Sequence, residues 1–408
     1  MIPSLAELIK DKVSAVQSAA VSTLVRLAQR RELYWCITTT KLTQWIVEFR
    51  PVISPLIPSL LEPLKSSDQE IREAASSAMA KLAEDVELRE DIQRIIPLFI
   101  ELLRNTDSGV RSTAVSGLVK LSEHVELCEA IRPIIPSAAE LLKDEDWNTR
   151  SRAVSALAGL AKQSELREEI HLLIPSLLEL LKDKDEDVRN TTISAIVKLS
   201  KDVELRATTL PTIALLAGLF KDESWTVKCA AISGVTELAE HAELREAIKT
   251  HIPSYFESLK DGDPDVRSAA ASGLAKLAEH AELRGEMCPA IPSLVDLLKD
   301  NQPYTRTFVA KIVQILLNYS DTRDIIFQLK PPDSWLEYMH DSDADALHVF
   351  TEIFCSLVNK EYIHTGILQA ILDAQNALDD SNPSARARGA TVLLTMGKHG
   401  IYHPIMHL

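Results

Sequence analysis

Glu87-Leu88-Arg89 returns as Glu126-Leu127-Cys128, Glu165-Leu166-Arg167, Glu204-Leu205-Arg206, Glu243-Leu244-Arg245 and Glu282-Leu283-Arg284, each copy 39 residues after the last. A fixed period of this size is the signature of a solenoid, whose units bury their apolar faces only against their neighbours. The period therefore decides the architecture before any single residue is considered. It also lowers the expectation of an enzyme, because a solenoid mainly offers a long surface.

Residues 171–206 serve as the type unit. Leu172, Leu173, Ile174, Leu177, Leu178, Leu180 and Leu181 recur at helical spacing. Pro175 and Ser176 are expected to open that first helix, where the missing proline N–H costs nothing. Lys182 to Asp187 form a polar turn, and Val188, Ile193, Ile196, Val197 and Leu199 make the apolar stripe of a second helix. Two helices joined by a short turn predict an all-α, right-handed α-solenoid of about ten stacked hairpins.

Two further columns run through the chain. Ahead of each second helix an Asp is followed six residues later by a basic residue: Asp144/Arg150, Asp183/Arg189, Asp222/Lys228, Asp261/Arg267, Asp300/Arg306 and Asp380/Arg386. Arg72 and Arg111 face Ser66 and Asn105 instead, Asp11 is followed by Gln17, and Asp341 by Leu347. Beyond each basic position stand a serine (Ser155, Ser194, Ser233, Ser272), then a small residue, then a leucine such as Leu199 or Leu277. The small residues let neighbouring second helices approach, and the leucines plug the layer beneath.

The two-helix unit, the paired Asp and Arg and the proline of the first helix resemble HEAT repeats, over about residues 1–398. The 39-residue spacing and the Lys-Asp-x-Asp-x-x-Val-Arg turns look most like the scaffolding A subunit of protein phosphatase 2A. The resemblance implies that Asp144, Asp183, Asp222, Asp261 and Asp300 stack with Arg150, Arg189, Lys228, Arg267 and Arg306 as a structural ladder. Its breaks at Gln17 and Leu347 predict looser stacking at both ends. We expect one solenoid with three zones: residues 1–56 with an insertion near 34–50, regular repeats over 57–306, and divergent repeats over 307–408. An apolar start at Ile2-Pro3 and an apolar finish at Ile405-Met406 suggest a segment of a longer array, or ends that pack on another chain.

Composition narrows the function classes. The chain has 408 residues, a net charge of −15 and 5% aromatics, so its interior is aliphatic. No sustained basic stripe is present, which argues against nucleic acid. Five scattered cysteines without a Cys-x-x-Cys pair fit neither a disulfide framework nor a zinc site. No stretch approaches the length of a membrane span. These features point to a cytoplasmic or nuclear protein. Iron-binding HEAT-like hydroxylases use His-Glu dipeptides; here the order is reversed, as in Glu123-His124, Glu240-His241 and Glu279-His280, once per unit on one edge. We expect no catalytic residue, no metal and no cofactor.

Binding determinants are expected where the array leaves its own consensus. Trp147 and Trp225 each lie three residues before the ladder cation, and Tyr304 sits one place later in its turn. Exposed tryptophans anchor protein interfaces, although an indole can also fold over its own hairpin. Trp335 belongs to an aromatic-rich stretch from Thr307 to Ile371, which fits either a docking region or divergence toward an array end. Trp35 and Trp45 lie in the Tyr34–Arg50 insertion. Two functions follow: a protein-binding scaffold or adaptor, in its specific form holding a Ser/Thr phosphatase catalytic subunit, or a transport or sensing solenoid that wraps a basic segment along the Lys120, Lys198, Lys276 column.

Overall fold

The structure, a computed structural model, describes residues 8–9, 11, 16–17, 19–23, 53–203, 206, 210–300, 303–360 and 367–401. The expected insertion at Tyr34–Arg50, with Trp35 and Trp45, lies outside the described residues. Every regular element among the described residues is helical. The chain divides into two compact units, Met1–Thr209 and Leu210–Leu408.

In the first unit the second helices of successive hairpins are α1 (Gln69–Ala83), α2 (Ser108–Ser122), α3 (Trp147–Leu160) and α4 (Glu186–Ser200). Each packs against the next. In the second unit the corresponding helices are α5 (Trp225–Leu238), α6 (Pro264–Leu277), α7 (Pro303–Leu316), α8 (Ala344–Asn359) and α9 (Pro383–Lys398), again packed in sequence. The apolar columns make these layers. Leu82, Leu121, Leu160, Leu199, Leu238 and Leu277 are all buried, and so are the small residues Ala78, Ala156 and Ala195 beside them. Truncating one plug, Leu199→Ala, should cost about 2–5 kcal/mol.

The second helices begin with a shared device. Asp68, Asp107, Asp146, Asp185, Asp263 and Asp343 stand at the N-cap and accept a backbone N–H from the first turn; Asn382 does the same for α9. Such caps are typically worth about 1 kcal/mol each. In the Lys-Asp-x-Asp turns the first Asp is therefore the ladder residue and the second is the helix cap.

The first helices differ from the sequence expectation. Proline does not open them. They start at the Glu-Leu-Arg tripeptide, as in Val125–Ile131, and pass through a single 3-10 turn at Arg132–Ile134 before resuming as Ile135–Glu140. Pro136 then stands in the first turn of the resumed helix. Pro253 and Pro292 occupy the same place in Ile252–Ser258 and Ile291–Leu297. A proline removes a backbone donor and crowds the preceding turn, so the helix breaks there and restarts. Arg167–Glu179 alone among these runs through its proline, Pro175, without a break.

The aromatic stretch near the end of the second unit is core. Trp335 is 1% exposed, and Tyr338, Phe350 and Phe354 are also buried. Tyr338 stacks on Phe350 with ring centres 4.5 Å apart, and Trp335 leans on Tyr338 at 5.8 Å. The short helix Pro332–His340, which carries both residues, lies against α8.

Candidate functional site

Both ends of the second helices are tied by arginines, and the same geometry serves twice. Arg150 donates through Nη1 to the carbonyl of Asp144, six residues back, at 2.8 Å. Its Nε and Nη2 reach Asp183 of the next repeat in a bidentate pair, both at 2.7 Å. Arg111 joins Asp144 likewise, at 2.6 Å through each nitrogen. Lys228 meets Asp261 at 2.7 Å, and Arg306 meets Asp341 at 2.8 Å. Arg189 and Arg267 reach back to the carbonyls of Asp183 and Asp261, and Arg267 also donates to Thr305 Oγ1 at 3.0 Å. Asp222 accepts the Ser224 N–H, while the Asp300 N–H bonds the Leu297 carbonyl. Burial pushes the Asp183 carboxyl up, but the Arg150 bond and its charge outweigh it and leave Asp183 below the usual carboxylate range. Asp261 is held low by Lys228 against the same burial.

The second tie is the Glu-Leu-Arg tripeptide, whose role its spacing alone did not disclose. Arg89, Arg206 and Arg245 donate through Nε to the carbonyls of Ala83, Ser200 and Ala239, again six residues back, where the preceding second helix ends. A cation at that position satisfies an orphan carbonyl and meets the negative end of the helix. Each such arginine can also reach an acid of the next repeat: Arg89 to Glu126 at 2.6 Å, Arg167 to Asp202 at 2.9 Å, and Arg245 to Glu282 at 3.5 Å. Cys128 replaces one arginine, and its thiol approaches the Ser122 carbonyl at 3.5 Å. Arg132 then supplies the inter-repeat contact, to Glu165 O at 2.6 Å and to Glu169 at 3.0 Å.

The rung before Leu347 is intact, but none follows it among the described residues: the Asp380 carboxylate accepts the Asn382 N–H of its own turn. Asp341 takes the full bidentate pair from Arg306, and Leu347 is wholly buried. Two inserted residues lengthen the reach from 33 positions, as in Arg150–Asp183, to 35 without breaking the rung.

Of the proposed anchors, Trp147 is 44% exposed, Trp225 47% and Tyr304 63%. Each stands at the very start of its second helix, ahead of the buried stripe, which on α5 runs Val227, Ala231, Ile232, Val235 and Leu238. Trp335 is corrected: it is core, because the helix that carries it packs against α8. In the serine and lysine columns Ser155, Ser194, Ser233, Ser272, Lys198 and Lys276 are exposed. Ser112 is buried, and Lys120 donates to Ser77 of the neighbouring helix at 3.2 Å.

Trp225 borders a groove of about 400 Å³ between α5 and α6. Cys229 and Ser233 continue its α5 wall; Asp265, Ser268, Ser272 and Lys276 form the α6 wall. Thr236 and Gly273 make the floor. A Cβ on Gly273 would fall 2.7 Å from both Thr236 Oγ1 and the Tyr255 ring, so glycine is what lets the two helices close beneath the groove. Buried Tyr255 locks the floor by bonding Thr236 at 2.9 Å. Burial, reinforced by Asp263, Asp265 and Asp261, pushes the Cys229 thiol up to about 11, so it stays protonated. No group of His, Cys, Asp and Glu among the described residues could hold a metal ion, and none of their helices is long and apolar enough to cross a membrane.

The family described as the EF3 N-terminal HEAT repeat matches residues 143–274. No curated protein matches the sequence. Among solved structures, the karyopherin Kap121p bound to the extreme C-terminus of the protein phosphatase Cdc14p aligns with 100% of this chain and 47% of its own, at 14% identity and a TM-score of 0.68. A triple mutant of Kap121p aligns with 97% of this chain and 42% of its own, at 15% identity and a TM-score of 0.62. An engineered protein gives 18% identity and a TM-score of 0.50 over 97% of this chain and 98% of its own. The chain spans less than half the length of the Kap121p chains it matches. At these identities the likeness speaks for the fold alone. Period, hairpins and structural likeness agree on an all-helical repeat solenoid, and residues 143–274 within it match a HEAT-repeat family.

Proposed function

We propose that this chain is a non-catalytic protein-binding scaffold, with Trp147 and Trp225 as its anchors. The observation that carries the reading is the half-exposure of two indoles at the same position of two hairpins. A large apolar surface left in water at the start of a rigid helix suits a partner's pocket or side chain. The Arg150–Asp183 and Lys228–Asp261 ties hold those helix starts in place, which keeps the ordering cost of binding low.

Two finer forms follow. In one, the chain holds a phosphatase catalytic subunit; support for it is the turn spacing that resembles the phosphatase scaffold. In the other, it receives an extended segment of a partner. The groove beside Trp225 favours the second form, and Kap121p, of similar fold, holds the terminal segment of another protein. The unpaired cysteines Cys128, Cys229, Cys288 and Cys355 accord with a cytoplasmic or nuclear location.

The test is an affinity capture from native lysate with this chain and with the Trp147→Ala/Trp225→Ala double variant. A near-stoichiometric partner that the double variant loses supports the reading. Unchanged capture by the double variant refutes the assigned anchors. A phosphatase catalytic subunit in the bound fraction would select the first form.

A further inference from the structure

The groove between α5 and α6 is polarised along its length, and that polarity specifies an occupant. At one end stand Trp225 and Asp265, each in the first turn of its helix; at the other stands Lys276, in the last turn of α6. The Asp265 backbone N–H bonds Asp263. Neither the Asp265 carboxylate nor the Lys276 ammonium has an ion-pair or hydrogen-bond partner among the described residues. Their neighbours behave otherwise: Lys228 is bound to Asp261, and Asp263 caps α6. Glu237, level with Lys276 on α5, is not among the residues lining the groove. The middle carries Cys229, Ser233, Ala269 and Ser272, short side chains that leave the floor open to a backbone.

We infer that this groove takes an extended segment of a partner protein that places an arginine on Trp225 and Asp265 and an acidic residue on Lys276. The inference rests on the protein-binding reading above and gives it a ligand. Arginine suits the first end because its planar guanidinium stacks on an indole while its N–H fork meets a carboxylate. The spacing follows from geometry. Asp265 and Lys276 are eleven residues apart on α6, about 16 Å at the helical rise. An extended strand covers that distance in about five residues. The recognised pattern is thus an arginine and an acidic residue about five positions apart.

Panning a displayed random decapeptide library on the full chain tests this. The wild-type chain should enrich peptides with that pair at that spacing. The Lys276→Glu chain should keep the arginine and exchange the acidic partner for a basic one. Trp225→Ala should weaken the enriched peptides about tenfold or more. Both substituted positions are exposed, and unchanged circular dichroism melts would show that the variants fold. Peptides enriched equally by wild type and variants would overturn this site and leave the binding role standing. No enrichment, with a lysate partner still lost in the Trp147/Trp225 double variant, would overturn this inference alone. No enrichment and no such partner would overturn both.

Discussion

Trp225 and Trp335 belong to the same compact unit, and the fold treats them in opposite ways. Trp225 opens α5, ahead of its buried stripe, and remains 47% exposed. Trp335 sits in Pro332–His340, against α8, and is 1% exposed. Position within the hairpin, not residue type, decides the outcome. The first turn of a second helix projects past the layer that its neighbours fill. Trp335 lies on the side of its first helix that meets α8, so its indole becomes interior surface. A tryptophan in a repeat array is therefore informative about binding only once its hairpin position is known.

The sharpest way to break this contrast is to truncate both. Trp335→Ala should cost about 3–5 kcal/mol, because it removes a large buried side chain and the support of the Tyr338–Phe350 stack. Since repeat arrays unfold by neighbouring units, the effect should be local. Hydrogen exchange should lose protection in α8 and Pro332–His340 while α5 keeps it. Equal loss in both helices would mean that the hairpins are coupled more tightly than nearest neighbours.

A smaller effect is expected at the ladder. Asp183→Ala leaves the Arg150 guanidinium buried without its bidentate partner, a change that typically costs about 3 kcal/mol. Acid should reproduce part of it. Asp183 and Asp261 are both depressed below the ordinary carboxylate value. Their contribution is thus fully present above about pH 4 and is lost as pH falls through the lower folded values. Denaturant melts between neutral pH and pH 3 would measure this, and Asp183→Ala should flatten the slope. An unchanged slope would mean that other carboxylates govern acid unfolding.

Spacing showed only an Asp, five residues and a basic residue recurring at intervals of 39, and the ladder itself was what the resemblance to HEAT repeats implied. The second tie was equally periodic, yet its meaning stayed hidden. Arg89 and Arg245 act on carbonyls of a helix end and on an acid one repeat later, and a main-chain acceptor leaves no letter in the sequence. The proline column misled for a related reason. Pro136 does stand in a first turn, but of a helix that had already begun at Val125 and broken. Trp335 misled because its apolar surroundings are built by α8, remote in sequence. The groove at Trp225 needed two adjacent repeats in register before Asp265 and Lys276 could face the same space.

The smallest expected effect is the one that gives the contrast its functional content. Trp225→Ala removes an indole that helps no buried layer, so stability should change by no more than about 0.5 kcal/mol. The cap residue Ser224 stays, its hydroxyl still paired with Thr226, and Val227 remains the first buried residue of the stripe. A thermal melt indistinguishable from wild type, together with loss of partner, would separate binding from folding at this residue. A clear loss of stability would instead show that the indole supports the α5–α6 groove, and Trp225 would join Trp335 as part of the interior.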